Sequence, residues 1–124
     1  MGVTVRNENG VTIVTPEGKL LGGRETDDLD AAIRELDKAG DRRLILDLGR
    51  TTFMTSLAIA VVVRAHVSYS KRGAVVKLCA MDRHIHQIFE ITKLTCVFEP
   101  NMHDTVEEGI ASFRARALAH SEPT

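Results

Sequence analysis

The apolar residues of this chain change their spacing from one segment to the next, and each spacing predicts an element. Val3 to Arg6 and Val11 to Val14 are β-prone runs on either side of Asn9-Gly10. That dipeptide accepts the positive backbone angles of a two-residue hairpin turn, so the chain is expected to open with a hairpin. Pro16-Glu17-Gly18 and then Gly22-Gly23 mark turn and loop. Leu29, Ala32, Ile33 and Leu36 follow at helical spacing, with Asp27, Asp28 and Asp30 near the helix start and Gly40 as its stop. Leu44 to Leu48 is an apolar run broken only by Asp47, the pattern of a central strand covered on both faces.

The next apolar element carries conflicting signals. Three consecutive valines, Val61 to Val63, are stiff at their first side-chain torsion and favour a strand. The stretch from Ser56 to Arg72 is too long for an ordinary strand, however, and Ala58, Val61, Val62, Ala65 and Tyr69 fall on one helical face. A helix is therefore predicted here, ended by Gly73. Ala74 to Cys79 reads as a second buried strand. Asp82 is placed to cap a helix carrying Ile85, Ile88 and Phe89, and Cys96 to Phe98 is expected as a short strand closed by Glu99-Pro100. Asp104 and Glu107 stand at capping-box spacing before a last helix that offers Val106, Ile110 and Phe113 to the core. Strands alternating with helices after a hairpin imply an α/β fold. It would be a mixed sheet of four to five strands with right-handed crossovers, covered by about four helices. One domain is expected over residues 1–117, with 118–124 as a frayed tail.

Composition agrees with one domain, since 124 residues with 44% hydrophobic content supply a full core. Sixteen basic against seventeen acidic residues leave a formal charge of -1, which gives no field toward nucleic acid or an anionic membrane. Arg42-Arg43 and Lys71-Arg72 read as solvated faces. Met1 to Val5 lacks the charged start and apolar run of a signal peptide, and the run Leu57 to Val63 is too short to span a bilayer. The expected location is cytoplasmic. Cys79 and Cys96 lie in apolar surroundings without metal-ligand spacing and are expected as small buried hydrophobes. His84 and His86 are two apart on a helix and make a poor metal pair, and His66 and His103 lack ligand partners. No nucleophile triad, phosphate loop or metal motif is present, so no catalytic site, metal or cofactor is expected.

The chemistry concentrates between the central strand and the long helix. The segment Gly49-Arg50-Thr51-Thr52-Phe53-Met54 forms a corner that ends in Thr55 and Ser56, at the mouth of the helix. The first amides of a helix and its dipole favour negative charge, so a phosphate on either hydroxyl is electrostatically tolerable. Ser56 also suits the plain role of helix N-cap. Met54, Leu57 and Ile59 add an apolar cluster at the same corner, which fits a partner-binding patch.

The order of these elements resembles the STAS domain, the family of bacterial anti-sigma factor antagonists. The resemblance is carried by the Gly18-Lys19-Leu20 turn, the strand Leu44-Ile45-Leu46-Asp47-Leu48, the corner Phe53-Met54-Thr55-Ser56-Leu57 and the helix from Arg83 to Leu94. It covers nearly the whole chain. In that family the corner typically reads Asp-Ser-Ser-Gly, and the second serine is phosphorylated by an anti-sigma factor with kinase activity. The acceptor position falls on Ser56, with Thr55 as the second choice; Met54 stands at the Asp position and Leu57 at the Gly position. The resemblance implies a non-catalytic regulator that binds an anti-sigma factor kinase through Met54, Thr55, Ser56, Leu57 and Ile59. Binding would be switched by phosphorylation at Ser56, without nucleic acid or membrane insertion, and the apolar helix makes the chain a candidate homodimer. The alternative implied is a non-phosphorylated scaffold subunit of a stress-sensing or transporter-associated complex.

Overall fold

The computed structural model describes residues 2–121, and side chains over residues 2–114. Strands β1 (Val3–Glu8) and β2 (Val11–Pro16) pair antiparallel around Asn9 and Gly10, both at positive φ, with Glu8 opposite Val11. That left-handed pair supplies the twist a two-residue hairpin needs. The chain continues through β3 (Gly18–Leu20), α1 (Arg24–Lys38), β4 (Arg43–Asp47), β5 (Thr51–Met54) and α2 (Ser56–Lys71). It then forms β6 (Val75–Cys79), α3 (Arg83–Ile91), the single turn α4 (Thr95–Phe98), β7 (Met102–His103) and α5 (Val106–Ser121).

The main sheet has the order β1-β2-β4-β6-β7, antiparallel at β1–β2 and parallel elsewhere. β4 is its middle strand, and the run Leu44 to Leu46 is fully buried because each face meets a different core. Leu44 and Leu46 join Val14, Val76 and Leu78 under α1, α2 and α3, together with Leu29, Ile33, Val62, Tyr69, Ile85 and Phe89. Ile45 points the other way, with Val11, Ile13 and Cys79, against Val106 and Phe113 of α5. Alternation along each strand thus assigns one residue set to each layer. At the foot of α2, the Tyr69 hydroxyl donates to Asp41 at 2.8 Å and Arg72 pairs with Asp37 at 2.8 Å, which ties α2 to the end of α1.

Several expectations are corrected. Cys96 to Phe98 is a helical turn, not a strand: Phe98 N–H donates to Leu94 and Glu99 N–H to Thr95, while the edge strand is the later pair Met102–His103. Burial of Phe98 against Phe89 and His66 explains the turn, since a helical step brings the ring inward where a strand would carry it along the sheet edge. Cys96 is exposed, so only Cys79 behaves as a buried hydrophobe. The capping box before α5 lies one residue later than expected. Thr105 Oγ1 accepts Glu108 N–H at 3.1 Å, and the Glu108 carboxylate accepts Asp104 N–H at 3.2 Å. α5 runs past the expected end at Ala117, and residues 122–124 of the expected tail lie outside the described residues.

Candidate functional site

The corner before α2 is built from a second, small sheet that the apolar pattern does not announce. β3 and β5 pair in parallel, with Lys19 opposite Phe53 and Leu20 opposite Met54. Their outer ends are fixed by Gly18 N–H to the Arg50 carbonyl at 2.9 Å and by the buried Thr51 hydroxyl, which donates to the Pro16 carbonyl at 3.3 Å. Asp47 ends β4 and turns its carboxylate back to accept Gly49 N–H at 3.0 Å, starting the loop that leads into β5. The pair is two-sided in the ordinary way of strands: Leu20 and Met54 point into the core, and Lys19 and Phe53 point outward.

Thr55, not Ser56, is the N-cap residue, with extended backbone angles of -90° and 174°. Its N–H donates to the Leu20 carbonyl at 3.0 Å and its hydroxyl donates to the same oxygen at 3.4 Å, so the side chain closes the β3–β5 junction instead of capping the helix. The first backbone bond of α2 runs from Ile59 N–H to the Thr55 carbonyl at 3.0 Å. Among the described residues, the amides of Ser56, Leu57 and Ala58 find no acceptor, no side chain caps the helix, and its first turn holds no acidic residue. Ser56 is the first helical residue, exposed, and its hydroxyl has no hydrogen-bond partner among the described residues. Three open amides and a positive dipole end beside a free hydroxyl form an environment suited to a dianionic phosphate.

The structure brings together all five residues expected at the contact, but it divides them between core and surface. Met54 is 2% exposed and Ile59 9%, so the expectation of their side chains as partner contacts is corrected. Both are drawn inward by the strand and helix periodicities that place Leu20 and Val62 in the same core cluster. Thr55 is half-buried. Leu57 stays outside, 61% exposed, and leans on Gly22, where a Cβ would stand 2.4 Å from its Cδ1. The exposed apolar surface is completed by Leu21 and by Phe53, residues the apolar pattern did not single out. The Phe53 ring stacks on His84 of α3 at 6.0 Å between centroids and 23° between planes. Outward alternation opposite Met54 is the signal that would have found Phe53. Asp82, as expected, caps α3 by accepting Ile85 N–H at 2.8 Å, and so sets the helix that carries His84.

Two of the remaining titratable residues are shifted by their surroundings. Burial pushes the Cys79 thiol up to about 12, helped by the nearby Asp47 carboxylate and opposed by Lys77. Burial and the Lys77 charge lower His103, whose Nε2 lies 3.4 Å from Lys77 Nζ. No group of three or more potential metal ligands exists among the described residues. No helix among them is long and apolar enough to cross a membrane.

The profile of the STAS domain family matches residues 3–109. This chain belongs to the STAS domain family. A Bordetella bronchiseptica relative, provisionally named anti-sigma factor antagonist BtrV, is 26% identical over 98 residues, spanning 79% of this chain and 84% of the relative. Among solved structures, a Thermotoga maritima protein, also provisionally named an anti-sigma factor antagonist, superposes with a TM-score of 0.82 at 18% identity, covering 90% of this chain and 94% of that one. The Bacillus cell fate determinant SpoIIAA in its phosphorylated form gives a TM-score of 0.71 at 17% identity over 90% of this STAS domain and 99% of that chain. At these identities the superpositions establish the shared fold. The chain thus has the fold of anti-sigma factor antagonists, with its own residues at the corner.

Proposed function

We propose that this STAS protein is a non-catalytic regulator that binds an anti-sigma factor through the Ser56 corner and is released when the anti-sigma factor's serine kinase activity phosphorylates Ser56. One observation carries the reading: Ser56 offers an exposed, unpartnered hydroxyl at the open amide end of α2, while the neighbouring Thr55 hydroxyl is committed to Leu20. The existence of a phosphorylated form of the similarly folded SpoIIAA supports it by analogy of fold. A phosphate would add about -1.5 to -2 charge beside Phe53 and Leu57, and desolvating that charge against an apolar contact opposes binding. The backbone at the corner is already held by Leu20, Thr51 and Met54, so the switch acts through local charge with no refolding.

Incubation with the cognate anti-sigma factor and ATP should place one phosphate on Ser56 by mass spectrometry. Ser56→Ala should abolish uptake and keep partner binding, and Ser56→Asp should weaken binding. Phosphate found on another residue, or undiminished uptake by Ser56→Ala, would end the assignment. The exposure of Leu57 and Phe53 favours a second reading, a permanent scaffold subunit. A stable complex whose size is insensitive to ATP is the result that would select it.

A further inference from the structure

The two faces of the main sheet are covered unequally. Among the described residues, the cluster on the α1–α3 side holds twenty buried side chains and the cluster beneath α5 holds six. α5 comes down closest at Gly109, where an added Cβ would stand 2.6 Å from Cys79 Sγ, so the helix backbone itself seals that thiol. Beside it lies a buried cation. Lys77 of β6 is 3% exposed, donates to Asn101 Oδ1 at 3.0 Å and holds its ammonium 4.9 Å from the centre of the Phe113 ring of α5. His103 of β7 is half-buried, pairs with Cys79 in the parallel register, and brings Nε2 to 3.4 Å from Lys77 Nζ. A neutral imidazole can accept from the ammonium at that nitrogen, whereas a protonated ring has no acceptor left and faces a like charge. Lys77 cannot swing away, because β6 is paired on both sides and the side chain is enclosed. The other charged groups facing His103 are Asp104 and Glu108, both exposed, and the Glu108 carboxylate is already engaged by Asp104 N–H.

We propose that α5 is an acid-released cover: a proton on His103 meets the fixed Lys77 ammonium, loosens the β7–α5 layer and uncovers the apolar strip of Val11, Ile13, Ile45 and Cys79. The device is independent of the Ser56 corner, whose buried residues belong to the cluster on the other face of the sheet. Its sign follows from proton linkage. Burial, and then the Lys77 charge, hold the closed form's His103 below the ordinary histidine value, against weaker upward pulls from Glu108 and Asp104. In the open form the ring stands in water and takes its proton at the ordinary value, so falling pH draws the population toward opening. The yielding part is local. β7 is two residues long and joins β6 through the Asn101 carbonyl, which accepts Leu78 N–H at 2.9 Å, and the His103 carbonyl, which accepts Ala80 N–H at 3.1 Å. β2, β4 and β6 keep their own ladders and the larger core when that layer lifts.

The test follows the reaction of the full chain's two thiols with a pyridyl disulfide reagent at about pH 7.5 and about pH 5, which bracket the ordinary histidine range. The rate at the sealed Cys79 is read against the rate at the exposed Cys96, which corrects for the reagent's own pH dependence. Acidification should raise the Cys79/Cys96 ratio about fivefold to tenfold, the effect that two like charges this close retain even under the screening of bulk water. Over the same change, the amides of the β2–β4 ladder should keep their hydrogen-exchange protection. His103→Gln stays neutral and can accept from Lys77 through its amide oxygen, so its ratio should not change with pH. A parent ratio indifferent to pH, an equal rise in His103→Gln, or a rise matched by lost protection in the β2–β4 ladder would overturn the proposal.

Discussion

Replacing Gly22 by alanine isolates what holds the exposed side of the corner. Gly22 has φ +93°, a backbone conformation that L side chains rarely adopt, and holding one there costs about 1–2 kcal/mol. The added Cβ would also stand 2.4 Å from Leu57 Cδ1. Because Leu57 is 61% exposed, its side chain can swing outward, so the collision adds little to the backbone cost. For 124 residues the unfolding entropy is about 0.26 kcal/mol per kelvin, so Gly22→Ala should lower the unfolding midpoint by about 4–8 °C by circular dichroism. The same substitution in a Leu57→Ala background separates the two effects, because it removes the collision and keeps the backbone demand. A Gly22→Ala midpoint equal to that of the parent, or complete recovery in the Leu57→Ala background, would refute the backbone argument.

Other expectations follow from close approaches and charges. At Gly109 in α5 a Cβ would meet Cys79 Sγ at 2.6 Å and Ile45 Cδ1 at 3.0 Å, both in the buried core. Overpacking of about 1–3 kcal/mol outweighs the roughly 1 kcal/mol that alanine adds as a helix former, so Gly109→Ala should lower the midpoint in urea, where an exposed helical glycine would raise it. Alkylation of the native protein should modify the exposed Cys96 and spare Cys79, whose thiol is buried and pushed up to about 12. Two modified cysteines without denaturant would contradict that burial. Burial works to raise the Asp30 carboxyl, but hydrogen bonds and charges from Arg34 and Arg64 outweigh it and hold the group below its ordinary value of 3.8. Its folded value being the lower, its contribution to stability is present above about pH 4 and is lost as pH falls through that folded value. Acid titration of stability should therefore flatten there in Asp30→Asn, and an unchanged profile would show that the pair contributes nothing.

The parts of the fold that the sequence made legible are those written in long periodic stretches. The α2 face of Ala58, Val61, Val62, Ala65 and Tyr69 outweighed three strand-prone valines because burial of a whole face exceeds a local torsional preference. The hairpin was readable from Asn9-Gly10 because that turn needs its two residues at positive φ. β3 and β5 have no readable signature because they are three and four residues long, and β5 breaks the usual alternation by burying Thr51 and exposing Phe53. Cys96-Val97-Phe98 reads locally as a strand because of its strand propensity, while the turn observed there follows from the ring contacts of Phe98 with Phe89 and His66, which no three-residue pattern contains. At the site, the hydroxyl pair was visible, yet its division of labour was not. The Leu20 carbonyl that takes the Thr55 hydroxyl lies 35 positions earlier in the chain, beyond the reach of any local pattern.

The inward and outward sides of the β3–β5 pair separate two kinds of constraint. Leu20, Thr51, Met54 and Ile59 answer to the core, whereas Lys19, Phe53, Ser56 and Leu57 face outward and carry no packing duty of that kind. Descendants of this chain are therefore free to change allegiance by repainting the outer positions while the interior stays untouched, and a duplicated copy acquires a new interlocutor without first having to relearn how to fold.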